Sequence, residues 1–318
     1  MPFWKSARRI LINLRNSPEE DLANMPESRI KIWILASRPK TLWAAVAPVM
    51  IGTALAIADG KVHWLAAFCA LFGAVMIQIG TNFSNDYFDF VQGADTHERL
   101  GPTRATQAGL ISFSEIKRAA VAAFGLAVLA GVYLLWRGGW PILVIGSLSI
   151  LAGILYTAGP YPLGYNGLGD IFVFVFFGLI AVGGTYYVQA LSIDAVVLLA
   201  GIGPGLLSTA LLCVNNLRDI ENDRKAGKRT LPVRFGRRFG QWEYAGSLLL
   251  AALVPVFLVI QTQSHFWVIL ASASILPAVR DVQIIFKENP GPIYNRVLGN
   301  TGKLIFIYSA LFSLGWIL

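Results

Sequence analysis

Residues 63–89 read HWLAAFCALFGAVMIQIGTNFSNDYFD, an apolar run that ends in Asn82, Asn85, Asp86 and Asp89. No charged side chain interrupts it between Trp64 and Asn85. A bilayer's hydrocarbon layer takes about 17–25 apolar residues to cross as a helix. Helix is the form such a run must adopt, because hydrocarbon offers backbone N–H and C=O groups no outside partner. Similar runs recur near 42–58, 119–136, 140–158, 169–190, 195–215, 244–261, 265–280 and 303–318. The spacing predicts an all-α, polytopic membrane protein: nine transmembrane helices in a bundle around a central cavity.

Composition supports that class. Hydrophobic residues make up 55% of the 318, and only 14% are charged, against about 25% in soluble domains. The mean hydropathy is +0.60. Lys and Arg gather in cytoplasmic loops of membrane proteins, and here alternate loops differ sharply. In the nine-span topology, 24 of the 26 basic residues fall on one face, leaving only Lys61 and Arg137 on the other. The N-terminus is therefore expected in the cytoplasm, with both acidic motifs described below on the same side. The net charge of +8 reads as a topological signal and an attraction for anionic membrane lipid, with no nucleic acid as partner.

Residues 1–40 are expected to form a cytoplasmic or interfacial segment, and 41–318 the transmembrane domain. Phe3, Trp4, Ile10, Leu11 and Leu14 interleave with Lys5, Arg8, Arg9 and Arg15, the pattern of a helix lying in the headgroup plane. Ser17-Pro18-Glu19-Glu20 has the form of a helix start. The apolar stretch Ile10 to Leu14 is too short for a cleavable signal, and the short basic N-terminus favours a bacterial plasma membrane. Cys69 and Cys213 read as packing residues. His63, His97 and His265 lack metal-ligand spacing.

A second acidic cluster, Asn215, Asn216, Asp219 and Asp223, closes another apolar run. Asn82 and Asp86 recur as Asn215 and Asp219 at an offset of 133, and Pro102 with Arg104 recurs as Pro232 with Arg234 at 130. Each half runs helix, helix, acidic segment, basic loop, helix, helix. The chain thus consists of two pseudo-repeated halves, an arrangement whose site commonly lies between the halves.

Residues three and four apart share a helical face, so Asn82, Asp86 and Asp89 point together, as do Asn215, Asp219 and Asp223. Ionised carboxylates gathered at a bilayer repel one another and are costly to desolvate, so a cation must compensate them. Oxygen-only ligands select a hard ion, and Mg²⁺ characteristically binds one or two carboxylates together with phosphate oxygens. Asp86, Asp89, Asp95, Asp219 and Asp223 are the candidate metal ligands for a diphosphate bridged between the two clusters, with the carbonyl oxygens of Asn82 and Asn215 on the same faces. Arg99, Arg104, Lys228, Arg229 and Arg234 supply cations for the same diphosphate. Lys40 either meets an anionic substrate or serves as a juxtamembrane topogenic charge. Tyr156, in the Gly-rich segment Tyr156-Thr157-Ala158-Gly159-Pro160, is either an interfacial anchor or a residue facing the reaction.

The motifs resemble those of the UbiA superfamily of intramembrane prenyltransferases. Asn85-Asp86-x-x-Asp89 and Asp219-x-x-x-Asp223 match its two aspartate-rich motifs. The superfamily's first motif often carries a further Asp where this chain has Gly93, with Asp95 two residues on. With that spacing, Arg99-Leu-Gly-Pro-Thr-Arg104 and Ser37-Arg-Pro-Lys-Thr-Leu42 are similar to the branch that prenylates 1,4-dihydroxy-2-naphthoate. The resemblance implies transfer of a polyprenyl group from polyprenyl diphosphate to 1,4-dihydroxy-2-naphthoate, with loss of diphosphate and CO₂, giving a demethylmenaquinone. It implies Mg²⁺ on Asp86, Asp89, Asp219 and Asp223, with Asp95 in support, Asn82, Asn85 and Asn215 orienting the metal–diphosphate cluster, and Tyr156 beside the carbocation or the acceptor. Two related readings stay open, another aromatic acceptor such as 4-hydroxybenzoate and a phytyl donor. A cation-coupled transporter also uses repeats and intramembrane acids, although its acids belong at mid-bilayer rather than beside basic loops.

Overall fold

The computed structural model of the chain describes residues 28–91 and 104–318, and the regular structure among them is entirely helical. Gly93, Asp95, Arg99 and the N-terminal interfacial helix expected from sequence lie outside the described residues. Twelve helical elements follow in chain order: α1 Arg29–Ser37, α2 Pro39–Ala58, α3 Trp64–Val91, α4 Phe113–Gly138, α5 Trp140–Leu155, α6 Gly169–Ala190, α7 Ala195–Arg218, α8 Ile220–Lys225, α9 Leu231–Phe235, α10 Arg237–Thr262, α11 Phe266–Lys287 and α12 Ile293–Ile317. Eight of these are long and apolar enough to cross a membrane, and α5 is a shorter apolar helix. The chain is thus built as an integral, multi-pass membrane protein.

Several helices overrun the apolar stretches from which they were anticipated, while α5 stops at Leu155, short of 158. α3 continues to Val91, so Asn82, Asn85, Asp86 and Asp89 all lie on one helix. α4 begins at Phe113, where Ser112 accepts from the Glu115 N–H and the Glu115 carboxylate accepts from the Ser112 N–H. That reciprocal cap satisfies two N–H groups that a helix start leaves without partners.

The two halves pack alike. α3 lies against α4 in the first half, α7 lies against α10 in the second, and α12 packs on both α2 and α7. The most enclosed helix is α7: 67% of its apolar window is buried, against 17% for α4. Glycines explain how α7 approaches α6 so closely. A Cβ on Gly178 would stand 2.6 Å from the Gly201 carbonyl oxygen, and one on Gly205 would stand 2.8 Å from that of Phe174. Small residues spaced four apart let backbones touch where lipid supplies no hydrophobic drive between helices. At this crossing α6 widens into a π-helical turn over Val175–Ile180.

The two basic residues set apart by sequence both act as ties. Arg137 forks onto the carbonyls of Val188 (2.6 Å) and Gln189 (2.9 Å) at the end of α6, where the helix dipole favours a cation. Lys61 donates to the Tyr186 hydroxyl at 3.3 Å, and that hydroxyl donates to Asp59.

Candidate active site

At one end of the bundle the C-terminal ends of α3 and α7 converge on a cavity of about 710 Å³. Asn82, Asn85, Asp86 and Asp89 line it from α3, and Asn215, Asp219 and Asp223 line it from α7 and α8. Towards the other end the walls turn apolar, with Val128, Gly131, Ile142, Gly146, Ile180 and Val188 contributed by α4, α5 and α6. One space therefore joins a carboxylate-rich mouth to a hydrocarbon-lined body.

All four described aspartates of the motifs are buried, and three are neutralised by cations of the chain itself. Asp89 pairs with Arg104, accepts from the Tyr165 hydroxyl and lies 3.5 Å from Lys228 Nζ. The same Nζ lies 3.7 Å from Asp223, so one ammonium stands between the two motifs. It also sits 4.4 Å from the centre of the Tyr165 ring, a cation–π contact. Asp219 is held by Arg218 through two bonds of 2.9 and 2.6 Å. Arg218, only 1% exposed, also donates to Asn215 (2.7 Å) and Asn295 (2.8 Å).

Asp86 differs from the other three. Its Oδ1 is buried and meets no hydrogen-bond donor. Among the described residues no three His, Cys, Asp or Glu side chains already converge on one point. An all-oxygen donor set with an orphaned carboxylate oxygen fits a hard cation that completes its shell from a phosphate, the usual habit of Mg²⁺.

The asparagines are anchored. Asn82 donates to the Ser37 carbonyl at 2.9 Å and to Thr41 Oγ1 at 3.2 Å. Asn85 accepts from Thr157 at its side chain and from Arg104 at its carbonyl, both at 2.8 Å. Tyr156 lines the cavity, with its ring lodged against Gly164 and Gly169. A Cβ at those positions would fall 2.7 and 2.9 Å from the ring and its hydroxyl. Burial raises the Tyr156 phenol above its ordinary pKa, and Asp170, Asp223 and Asp89 push it the same way. The hydroxyl is therefore a neutral donor. Lys40 also lines the mouth, its Nζ beside Gly299 of α12.

Two anticipated phosphate-facing cations are placed elsewhere. Arg229 and Arg234 are exposed and do not line the cavity. The Arg229 backbone N–H donates to the Tyr165 carbonyl at 2.6 Å, and Arg234 packs over the turn at Gly167. The backbone bond faces inward and turns the guanidinium of Arg229 out. Conversely, Arg218, Tyr165 and Arg38 line the cavity without having been singled out. The signal for Arg218 was its place three residues after Asn215, on the same helical face. For Tyr165 no spacing in the sequence pointed to Asp89.

Comparison with known proteins places these features in a wider group. The model of the UbiA prenyltransferase family matches residues 45–310. The chain is 39% identical to the 1,4-dihydroxy-2-naphthoate octaprenyltransferase of Escherichia coli, over 91% of this chain and 96% of that protein. It is 38% identical to the protein of the same name from Haemophilus influenzae, over 92% and 97%. Its fold is similar to that of a UbiA homologue from Archaeoglobus fulgidus bound to DMAPP and Mg²⁺, with a TM-score of 0.65 and 15% identity over 90% of this chain and 98% of that one.

Proposed function

We propose, from the premise that this chain belongs to the UbiA prenyltransferase family, that it transfers a polyprenyl group from its diphosphate to 1,4-dihydroxy-2-naphthoate. The observation that carries this reading is the meeting of both acidic motifs, with Lys228 between them, at the mouth of one apolar cavity. A diphosphate joined to the acids through Mg²⁺ would fit the mouth, where Arg104 and Lys228 add positive charge, and an isoprenoid matches the body in polarity.

Asp86, Asp89, Asp219 and Asp223 would hold Mg²⁺, with Asp95 in support and Asn82, Asn85 and Asn215 ordering the cluster. The ion supplies Lewis-acid neutralisation of charge on the departing diphosphate oxygen. Arg104 and Lys228 add fixed positive charge at the same place, where a preorganised, water-poor setting makes each donor count. Arg229 and Arg234, exposed and absent from the cavity lining, are left out of this contact set.

The C–O bond to the prenyl C1 breaks, and its electron pair leaves with the diphosphate. The naphthoate ring carbon that bears the carboxylate then gives an electron pair to C1. Loss of CO₂ returns the carboxyl bond pair to the ring and leaves demethylmenaquinol, the reduced form of demethylmenaquinone. Lys40 is suited to the acceptor's carboxylate, and Tyr156 presents a neutral hydroxyl to the reacting centre. The positive-inside pattern supports placing the mouth on the cytoplasmic side of a bacterial plasma membrane.

The test is a reconstitution. Purified protein is given 1,4-dihydroxy-2-naphthoate, polyprenyl diphosphates of several lengths, and Mg²⁺ or EDTA. Prenylated product and released diphosphate, both abolished by EDTA, are expected. Parallel arms with phytyl diphosphate and with 4-hydroxybenzoate decide donor and acceptor. Absence of product with every pair defeats the reading.

A further inference from the structure

The stretch from Arg224 to Trp242 carries seven basic residues and no acidic one. Three of them are committed. Arg224 pairs with Glu221 at 2.9 Å, Lys228 stands between the two motifs, and Arg237 donates to Asn289 at 2.8 Å and to the Glu288 carbonyl. Arg229, Arg234 and Arg238 are exposed, and among the described residues no carboxylate forms an ion pair with any of them. Apolar rings face outward beside these cations. Phe235 is 62% exposed and Trp242 is 68% exposed. The Phe235 and Phe239 rings lie 5.1 Å apart, and the Trp242 ring lies 5.1 Å from that of Phe286.

The length of α10 gives this patch its depth. From Trp242 the exposed face of the helix continues through Leu249, Leu253, Phe257 and Ile260, and the helix ends at Thr262 before the polar turn Gln263-Ser264. At 1.5 Å per residue, Trp242 to Thr262 measures about 30 Å, the thickness of a bilayer's hydrocarbon core. Trp242 therefore stands at the boundary where Trp collects. Phe239, Arg238, Phe235 and Arg234 follow it into the headgroup layer. The opposite face of α10 fixes the same level against the site: a Cβ at Gly240 would stand 2.7 Å from Leu217, two residues before Asp219.

We propose that Arg229, Arg234 and Arg238, with Phe235, Phe239 and Trp242, form a seat for the anionic headgroup of a membrane phospholipid beside the cavity mouth. Guanidinium groups fork onto phosphate oxygens, and the rings offer the adjoining glycerol and upper acyl chain an apolar wall. A zwitterionic headgroup brings a cation of its own to three unpaired cations, so charge favours an anionic lipid. A second copy of the chain seated face to face would bring the same three cations, and like charges oppose that pairing. The seat adjoins the 156–168 loop, because Arg234 packs over the turn at Gly167 and the Arg229 N–H donates to Tyr165 of that loop. Arg229 and Arg234 thus have a use that their absence from the cavity lining leaves open.

The test needs no turnover and does not depend on the prenyl-transfer reading. The full chain is released from detergent micelles containing phosphatidylglycerol or phosphatidylcholine, and retained lipid is counted by native mass spectrometry. Preferential retention of phosphatidylglycerol is expected, with a fall of about fivefold for each Arg replaced by Gln, the worth of one cation near an anionic surface. The triple variant Arg229→Gln, Arg234→Gln, Arg238→Gln should therefore lose the preference. The control Lys117→Gln, Arg118→Gln, Arg296→Gln removes the same charge from exposed positions on α4 and α12 and should keep it. In mixed vesicles, the fluorescence lost in Trp242→Phe isolates the share of that ring. A nitroxide high on the acyl chain of phosphatidylglycerol should quench this share more than the same label on phosphatidylcholine. Equal retention of the two lipids, or an unchanged preference in the triple variant, overturns the proposal. So does a Trp242 signal that neither label quenches, the result of a second copy covering the face. Release of phosphatidylglycerol by inorganic diphosphate would assign the cations to free phosphate and overturns it as well. If the triple variant does not fold, Arg234→Gln alone gives the comparison, with a fivefold fall expected and no fall overturning the proposal.

Discussion

Asp89 and Asp223, one from each acidic motif, share the ammonium of Lys228, which lies 3.5 Å from the first and 3.7 Å from the second. Contact between the halves of the repeat is thereby electrostatic as well as steric. Lys228→Met should remove the shared cation while keeping most of the side chain's bulk. Turnover is expected to fall by about 10²-fold or more, the scale seen when one preorganised donor is removed from a developing charge. Lys228→Arg should recover part of it. Diphosphate release under saturating substrate checks both.

Asp86 carries the orphaned oxygen, and Asp86→Asn should separate metal use from folding. The expected outcome is loss of Mg²⁺-dependent turnover with an unchanged thermal unfolding midpoint in detergent. Near-normal turnover across a Mg²⁺ titration would remove Asp86 from the metal set.

Arg218 makes a different kind of contribution. Fully buried and bonded to Asp219, Asn215 and Asn295, it leaves an uncompensated buried carboxylate when truncated. Arg218→Ala is expected to destabilise the fold by about 3–5 kcal/mol, read as a lowered unfolding midpoint. Adding Asp219→Asn should restore part of that stability without restoring turnover.

Gly164 lies against the Tyr156 ring, and the added methyl of Gly164→Ala would stand 2.7 Å from it. Tyr156 must shift, and kcat should fall by about tenfold or more, because small displacements of positioned groups are costly. Gly125→Ala, at a position with open space around its Cβ, serves as the control and should match the unaltered protein.

The Tyr156 phenol is held neutral, since burial first and neighbouring carboxylates second raise its pKa. A group whose pKa is raised keeps its proton through the pH range in which activity is measured. Tyr156→Phe should therefore change the rate without moving either limb of the pH profile. A lost alkaline limb in this variant would contradict the assignment.

Much of the architecture was legible because bilayer thickness sets the length of an apolar helix and the acids interrupt that pattern conspicuously. Asn82, Asp86 and Asp89 could be placed on one face from helical spacing alone. Arg229 and Arg234 show the opposite limit. Their charge was plain in the sequence, but the bond from the Arg229 backbone to Tyr165 decides which way that side chain faces. Tyr165 reaches Asp89 across the bundle, and that pairing leaves no periodicity to read.

Arg104, Lys228 and Arg218 give the chain a private supply of countercharge for Asp89, Asp223 and Asp219. Many metal-binding proteins fold only as the ion arrives, because their ligands cannot be gathered without it. Here Asp89, Asp219 and Asp223 carry their own countercharge before any ion binds. Assembly of the fold is therefore expected to proceed without the ion, and a shortage of it should idle the protein without marking it for degradation.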